Sequence, residues 1–178
     1  MAAKAQVSGD AFFTHDGSGS GDLQVVEFIL GDELFAINLF DVKEVVEYTR
    51  ITKLPSTPSH IKGIIDLRGE ITTIIDLKIR MNISGNNEIP DENRRIIVLD
   101  DAILSTKLGI MVDDVTSVST FSRDMVERTS SAVSNSAASY IEGIIRKKTR
   151  EKEKERTDLV IWIDIRQMVS ETDLGGMA

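Results

Sequence analysis

Two adjacent aspartate pairs, Asp100-Asp101 and Asp113-Asp114, are the residues in this sequence best suited to chemistry. Neighbouring carboxylates can divide acid and base roles, or hold a divalent cation between their oxygens. A small carboxylate-dependent hydrolase using Asp113 and Asp114 is the enzymatic reading this chain leaves open. Aspartates are far commoner at turns and strand ends, where they accept hydrogen bonds from their own backbone. Other catalytic material is scarce. His15 lies in a polar tail and His60 in a proline-flanked loop, and neither has a Cys/His/Asp cluster at ligand spacing. Cysteine is absent, which removes thiolate nucleophiles, sulfur-ligated metals and disulfides, and fits a reducing compartment. No Gly-x-Ser-x-Gly elbow occurs. Gly17, Gly19 and Gly21 follow no strand pattern and open no helical one, so they read as a flexible tail and not a phosphate loop. The expectation is a protein with no enzymatic activity, no cofactor and no metal.

Arg68 raises a different question. It sits at the tip of HIKGIIDLRGEITTIIDL, residues 60–77, between two isoleucine-rich runs and beside Gly69. A turn needing only solubility is served by Asn-Gly or Asp-Gly, and a solvated arginine is the plain reading. A guanidinium, however, presents a rigid fork of donors shaped for a carboxylate. A second charged feature is Arg146–Arg156, RKKTREKEKER, with seven basic and three acidic residues. No aromatic side chains interleave there to stack on bases, and the alternating charges satisfy one another. It reads as a solvated hairpin loop.

The elements that must position these residues are mostly strands. Isoleucine and valine dominate the apolar set, against one tryptophan, two tyrosines and six phenylalanines. β-Branched side chains suit a pleated, half-buried surface. In VVEFIL, Val26, Phe28 and Leu30 point one way and Val25, Glu27 and Ile29 the other; after the Gly31-Asp32 turn, Phe35, Ile37 and Leu39 oppose Leu34, Ala36 and Asn38. In FDVKEVVEY the period changes, and Asp41 can cap a short helix with Val42, Val45 and Val46 on one face. The 60–77 stretch is a hairpin, with Gly69 supplying a positive φ. A short helical turn and a polar loop follow, then strands at RRIIVLD and KLGIMVDDV. A Ser-rich stretch leads to a last hairpin, SYIEGIIRKK with DLVIWIDI, and to a C-terminal helix capped by Asp164. An internal repeat runs through this order. Ile61-Lys62-Gly63-Ile64-Ile65 returns as Ile141-Glu142-Gly143-Ile144-Ile145, Ile74-Ile75-Asp76-Leu77 as Trp162-Ile163-Asp164-Ile165, and Asp41-Val42 with Val45 as Asp114-Val115 with Val118. Two similar β modules follow, and small barrels fit because closure removes exposed strand edges.

The formal net charge of −8, with the 146–156 segment at +4 and the remainder at −12, argues against nucleic acid as a partner. The apolar runs are too short for a membrane span, and the N-terminus lacks the apolar stretch of a secretion signal. A cytoplasmic protein without direct membrane insertion is expected.

The stretches VVEFILGDELFAINLFDVKEVV, IKGIIDLRGEITTIIDL, LGIMVDDVTSV, YIEGII and LVIWIDI together resemble the CheW family of chemotaxis coupling proteins. The middle stretch carries most of the likeness: Gly63, Leu67, Arg68, Gly69, Asp76 and Leu77 match the family pattern, with Asp66 where asparagine is usual. The resemblance implies a mostly β fold of two five-stranded barrels around a shared apolar core, with strands exchanged between them and short helices including a C-terminal one. It implies a tail at 1–21, a CheW-like domain at 22–172 and a tail at 173–178. It implies an adaptor that bridges chemoreceptor tips to the regulatory domain of the histidine kinase CheA, recruited to membrane-associated receptor arrays. Val42, Glu44, Gly63, Asp66, Arg68 and Gly69 are the receptor- or kinase-binding positions so implied, with Val42 and Gly63 on the floor of a groove and Arg68 paired with Glu44. A CheW-like module of a kinase or of a CheV-like protein shares this fold; the end at Gly175-Gly176-Met177-Ala178, without a receiver domain, favours a standalone coupler.

Overall fold

The computed structural model describes residues 21–85, 89–102, 106–128 and 138–170. Eleven strands carry the described chain: β1 (Leu23–Leu30), β2 (Glu33–Asn38), β3 (Val42–Glu47), β4 (Ile61–Leu67), β5 (Glu70–Asp76), β6 (Arg95–Leu99), β7 (Leu108–Val112), β8 (Asp114–Phe121), β9 (Val126–Arg128), β10 (Ile141–Glu151) and β11 (Lys154–Ile163). Two short helices follow β5 and β11, α1 (Leu77–Arg80) and α2 (Ile165–Ser170). The strands form two curled sheets. One has the order β3-β6-β7-β5-β4 and comes from the middle of the chain. The other has the order β8-β1-β2-β11-β10-β9 and comes from its two ends. They are called the central and the terminal barrel below. The expected five strands per barrel gain one more, the three-residue β9. Its counterpart across β4 is a single bridge, Thr52 to Ile64.

The repeat seen in the sequence is a repeat of pairing. In each sheet an antiparallel pair, β1-β2 or β6-β7, joins a second antiparallel pair, β10-β11 or β4-β5, through one parallel contact, β2 with β11 or β7 with β5. Gly63 and Gly143 both sit at a register shift in these hairpins. Asp76 and Asp164 both end their strands by capping a helix, Asp76 accepting from Lys78 N and Ile79 N and Asp164 from Gln167 N. The two copies are not two barrels, however. Each copy puts its first two strands in one barrel and the rest in the other, three in the first copy and four, with β9, in the second, so the chain crosses between barrels after β2 and again after β7. The expected exchange of strands is this crossing.

Alternation within strands divides the apolar residues among three clusters. Val26, Phe28, Leu30, Phe35 and Ile37 enter the large core between the barrels, with Ile75, Ile97, Ile110, Ile163, Ile165 and Met168. Val25, Ala36, Ile145 and Val160 fill the terminal barrel, and Ile65, Ile74, Ile96, Val98 and Met111 the central one. The β1 and β2 faces are as the spacing predicts. Each such side chain contributes about 1.5–3 kcal/mol on burial, and the shared core makes the two barrels one cooperative unit.

Two expectations are corrected. Residues 42–47 are strand β3 and not a helix; only Leu39–Asp41 turn, as a 3-10 segment capped by Asn38. The spacing of four from Val42 to Val46 fits either period, and pairing with β6, apolar from Ile96 to Leu99, decides for the strand. The charged segment 146–156 is not a loop. Its ladder is continuous from Arg146↔Leu159 to Glu151↔Lys154, closed by Lys152 and Glu153, both at positive φ. The tails at 1–21 and 173–178 lie outside the described residues apart from Gly21, as does the Ser-rich run at 129–137.

Candidate interaction site

The β4-β5 hairpin turns through two residues, Arg68 and Gly69, with φ of +55° and +84°. Two positive φ values in a two-residue loop match the right-handed twist of the strands it joins. Glycine takes this conformation without cost; arginine does not. Asp66 braces the turn, its Oδ1 accepting from Gly69 N at 2.7 Å. From this strained position Arg68 reaches across to β3 and meets Glu44 end on, Nη1 to Oε1 and Nη2 to Oε2 both at 2.9 Å. The Glu44 side chain is 22% exposed and the Arg68 side chain 74%. The pair therefore closes the rim of the central barrel while leaving the cationic edge open to solvent.

Glu44 reaches that rim because β3 bulges. Its pairing with β6 shifts between Val42 and Glu44, so Val42 packs against the inter-barrel core while Val46 packs inside the central barrel. A cavity of about 50 Å³ lies at the rim, lined by Glu44, Leu67, Arg68, Thr72 and Val98. Beside it Lys43 bonds Asp101 at 3.2 Å and approaches Glu70 at 3.8 Å, and Lys107 also pairs with Glu70. The hydrogen bond and charge of Asp101 raise the Lys43 pKa, and Lys107 lowers that of Glu70 in the same way. Exposed apolar side chains, Val45 on β3 and Ile71 on β5, flank these charges.

The six residues implied by the resemblance are thus not one patch. Glu44, Asp66, Arg68 and Gly69 come together at the rim. Val42 lies at the junction of the barrels. Gly63 is buried at the far end of β4, with φ +146° and the Thr52 carbonyl oxygen 2.2 Å from where a Cβ would stand. The close approach that Gly63 permits is to its own chain.

The aspartate pairs separate as well. Asp113 is buried and Asp114 exposed. Asp113 Oδ2 accepts from Gly31 N at 2.7 Å and from Lys78 Nζ at 3.0 Å, while Arg94 Nε lies 3.3 Å from Oδ1. Arg94 also grips Asp76 at 2.9 Å. Burial works to raise the Asp76 pKa, but the Arg94 contact outweighs it and holds the carboxyl below 3.8. Asp41 shows the opposite balance. Burial raises its pKa despite a 2.6 Å bond from Arg166. Both crossings between barrels carry one of these buried aspartates, Asp41 after β2 and Asp113 after β7. Each binds the residue two past a helix cap, Arg166 or Lys78, so they lock the crossings and present no paired carboxylates to a substrate. Asp100 braces its own turn through Ala102 N. Among the described residues no cluster of His, Asp and Glu is placed to hold a metal. Sequence reasoning missed Arg94, which stands second-hand to a polar loop and gave no signal. It also missed the pairing of Glu27, fully buried in the terminal barrel, with Lys147 at 2.8 Å; a glutamate inside VVEFIL was the clue.

Residues 24–173 match the family model for a CheW-like domain. The chain is 31% identical over 156 residues to the chemotaxis protein CheW of Treponema pallidum, covering 87% of this chain and 86% of that one. It is 31% identical over 131 residues to the CheW of Bacillus subtilis, covering 74% and 81%. The crystal structure of the scaffolding protein TtCheW from Thermoanaerobacter tengcongensis superposes with a TM-score of 0.67 at 32% identity, over 85% of this chain and 95% of that one.

Proposed function

Because this chain belongs to the CheW family of chemotaxis scaffold proteins, we propose that it is a non-catalytic adaptor coupling the cytoplasmic tips of chemoreceptors to the regulatory domain of CheA within a membrane-associated array. The domain doing so is the 22–172 segment. The observation that carries the reading is the Arg68–Glu44 pair. An arginine held at positive φ, where a glycine or asparagine would rest more easily, is backbone strain retained at a solvent-facing edge, and strain of that kind gathers at functional positions. Coupling of this sort is geometric. The adaptor holds receptor and kinase in register, and the receptor's state reaches the kinase only through contacts that differ between the two kinase states. Glu44, Asp66, Arg68 and Gly69 form the contact surface. Val42 and Gly63 support it from inside, by setting the bulge of β3 and the path of β4.

The test is capture of CheA and of a receptor cytoplasmic fragment by the purified protein at moderate salt, with kinase activity read in the ternary assembly. Arg68→Glu sets two negative charges together at the rim, and like charges at a docking surface cost several kcal/mol. It should abolish kinase coupling while leaving the fold intact. Adding Glu44→Arg restores the pair in reverse and should recover part of the coupling. An Arg68→Glu protein that couples at wild-type levels would remove the rim from the mechanism.

A further inference from the structure

We infer that the projecting half of the β10-β11 ribbon is a docking arm for an acidic helix, a surface separate from the central-barrel rim. The ribbon leaves the barrel early. β2 pairs with β11 only at Val160–Trp162 and β9 with β10 only at Gly143–Ile145, yet β10 and β11 stay paired out to Glu151↔Lys154. Its base is fixed by the Lys147 ammonium, which enters the terminal barrel and binds both oxygens of Glu27 at 2.8 and 3.0 Å.

The two faces of the arm differ. Cross-strand partners share a face, so Lys147, Asp158, Thr149, Arg156, Glu151 and Lys154 lie together. There three cations meet two acids, but Lys147 is spent on Glu27 and Arg156 bonds Asp158 at 2.7 Å. The other face carries Arg146, Lys148 and Arg150 in one row, opposed by Leu159, Thr157 and a single acid, Glu155. Its ion pairs are exposed: Lys148 to Glu155 is 4.0 Å, and Arg146 bonds Glu127 of β9 at 2.7 Å with both side chains more than half exposed. Toward the barrel this face becomes apolar. Ile163 is buried between the barrels, Ile161 packs against that core, and Leu159 stands 55% exposed beside Arg146.

An acidic helix fits this face on spacing. Alternate residues of a strand stand about 6.7 Å apart, and residues four apart on a helix about 6 Å. Carboxylates at i, i+4 and i+8 therefore reach Arg146, Lys148 and Arg150 in turn, with an apolar residue at the end of the stripe over Leu159. A membrane surface fits less well, since the tip carries Glu151 and Glu153 and no aromatic to insert.

The experiment is a titration of the ¹⁵N-labelled protein with an alanine-based helical peptide bearing glutamates every fourth residue, followed by backbone amide shifts. Perturbations should concentrate on 146–150 and 155–159. The affinity should fall about tenfold when salt is raised from about 50 to about 200 mM, since exposed charge pairs are screened. It should fall at least tenfold in the triple variant Arg146→Glu, Lys148→Glu, Arg150→Glu, whereas exchanging Glu151 and Lys154 on the opposite face should leave it unchanged. Because the wild-type shift map locates the contact, failure of the triple variant to fold would not block the test. Equal binding of the same peptide interrupted by prolines would overturn the proposal, as would shifts centred elsewhere. So would binding of phosphatidylserine vesicles by a protein that ignores the helix.

Discussion

At the scale of single residues, Arg68 separates stability from function. Its positive φ costs about 1 kcal/mol relative to glycine, while its exposed pair with Glu44 returns about 0.2–1 kcal/mol. Arg68→Gly should therefore leave the melting temperature unchanged or slightly raised, and should still lose most of its capture of kinase and receptor; a calorimetric scan beside a pulldown checks both. A substitution that stabilises the fold and removes binding marks a side chain retained for a partner. Gly69, also at positive φ, has open space where its Cβ would stand, so Gly69→Ala should cost about 1 kcal/mol through backbone conformation alone.

At the scale of elements, the two hairpins test how far the repeat is physical. Gly63 and Gly143 occupy matching positions. An added Cβ at Gly63 meets the Thr52 carbonyl oxygen at 2.2 Å, whereas at Gly143 it meets Glu127 oxygen and Val126 at 3.0 Å. Gly63→Ala should displace the Thr52 bridge and lower stability well beyond the roughly 1–3 kcal/mol of an overpacked site. Gly143→Ala should stay within that range, and urea melts of the two variants distinguish them. The hairpins, their turn and the strand faces were legible because alternation and glycine placement are local signals. Residues 42–47 were not, since the spacing of four from Val42 to Val46 suits both periods and only β6, distant in sequence, decides. The ribbon at 146–156 was hidden for a related reason: charge density reads as loop, but a ladder needs only backbone and a partner strand. Of the site, the Arg68–Glu44 pair was legible through resemblance. The inward lean of Gly63 was not, because it depends on Thr52, which no pattern links to it.

At the scale of the molecule, the barrels are joined by ions as well as by apolar packing. Arg94 lies between the buried carboxylates of Asp76 and Asp113. Arg94→Ala would leave both short of a partner and should cost about 3–5 kcal/mol, the usual loss on breaking a buried pair, as one cooperative transition in denaturant. Acid should act through two carboxyls with opposite signs. The lowered pKa of Asp76 gives stability that is present above 3.8, the unfolded value, and is lost as pH falls below it. The raised pKa of Asp41 works the other way: its proton is bound more tightly in the fold, so its ionised form weighs against folding above that raised value and the penalty is relieved as pH falls toward 3.8. Melting temperatures measured against pH should therefore drop below 3.8 in the wild type, and Asp76→Asn, less stable at neutral pH, should show a flatter curve through that window. The crossing of the chain between barrels also sets an order in time. The central barrel is contiguous, β3 through β7, and is complete once residue 112 has left the ribosome. The β1-β2 hairpin is made before it, yet its parallel neighbour β11 is the last of the eleven described strands to emerge. At roughly 5–20 residues per second, the nascent hairpin spends on the order of ten seconds with Leu34 and Ala36 uncovered, waiting for the strand that will close its barrel.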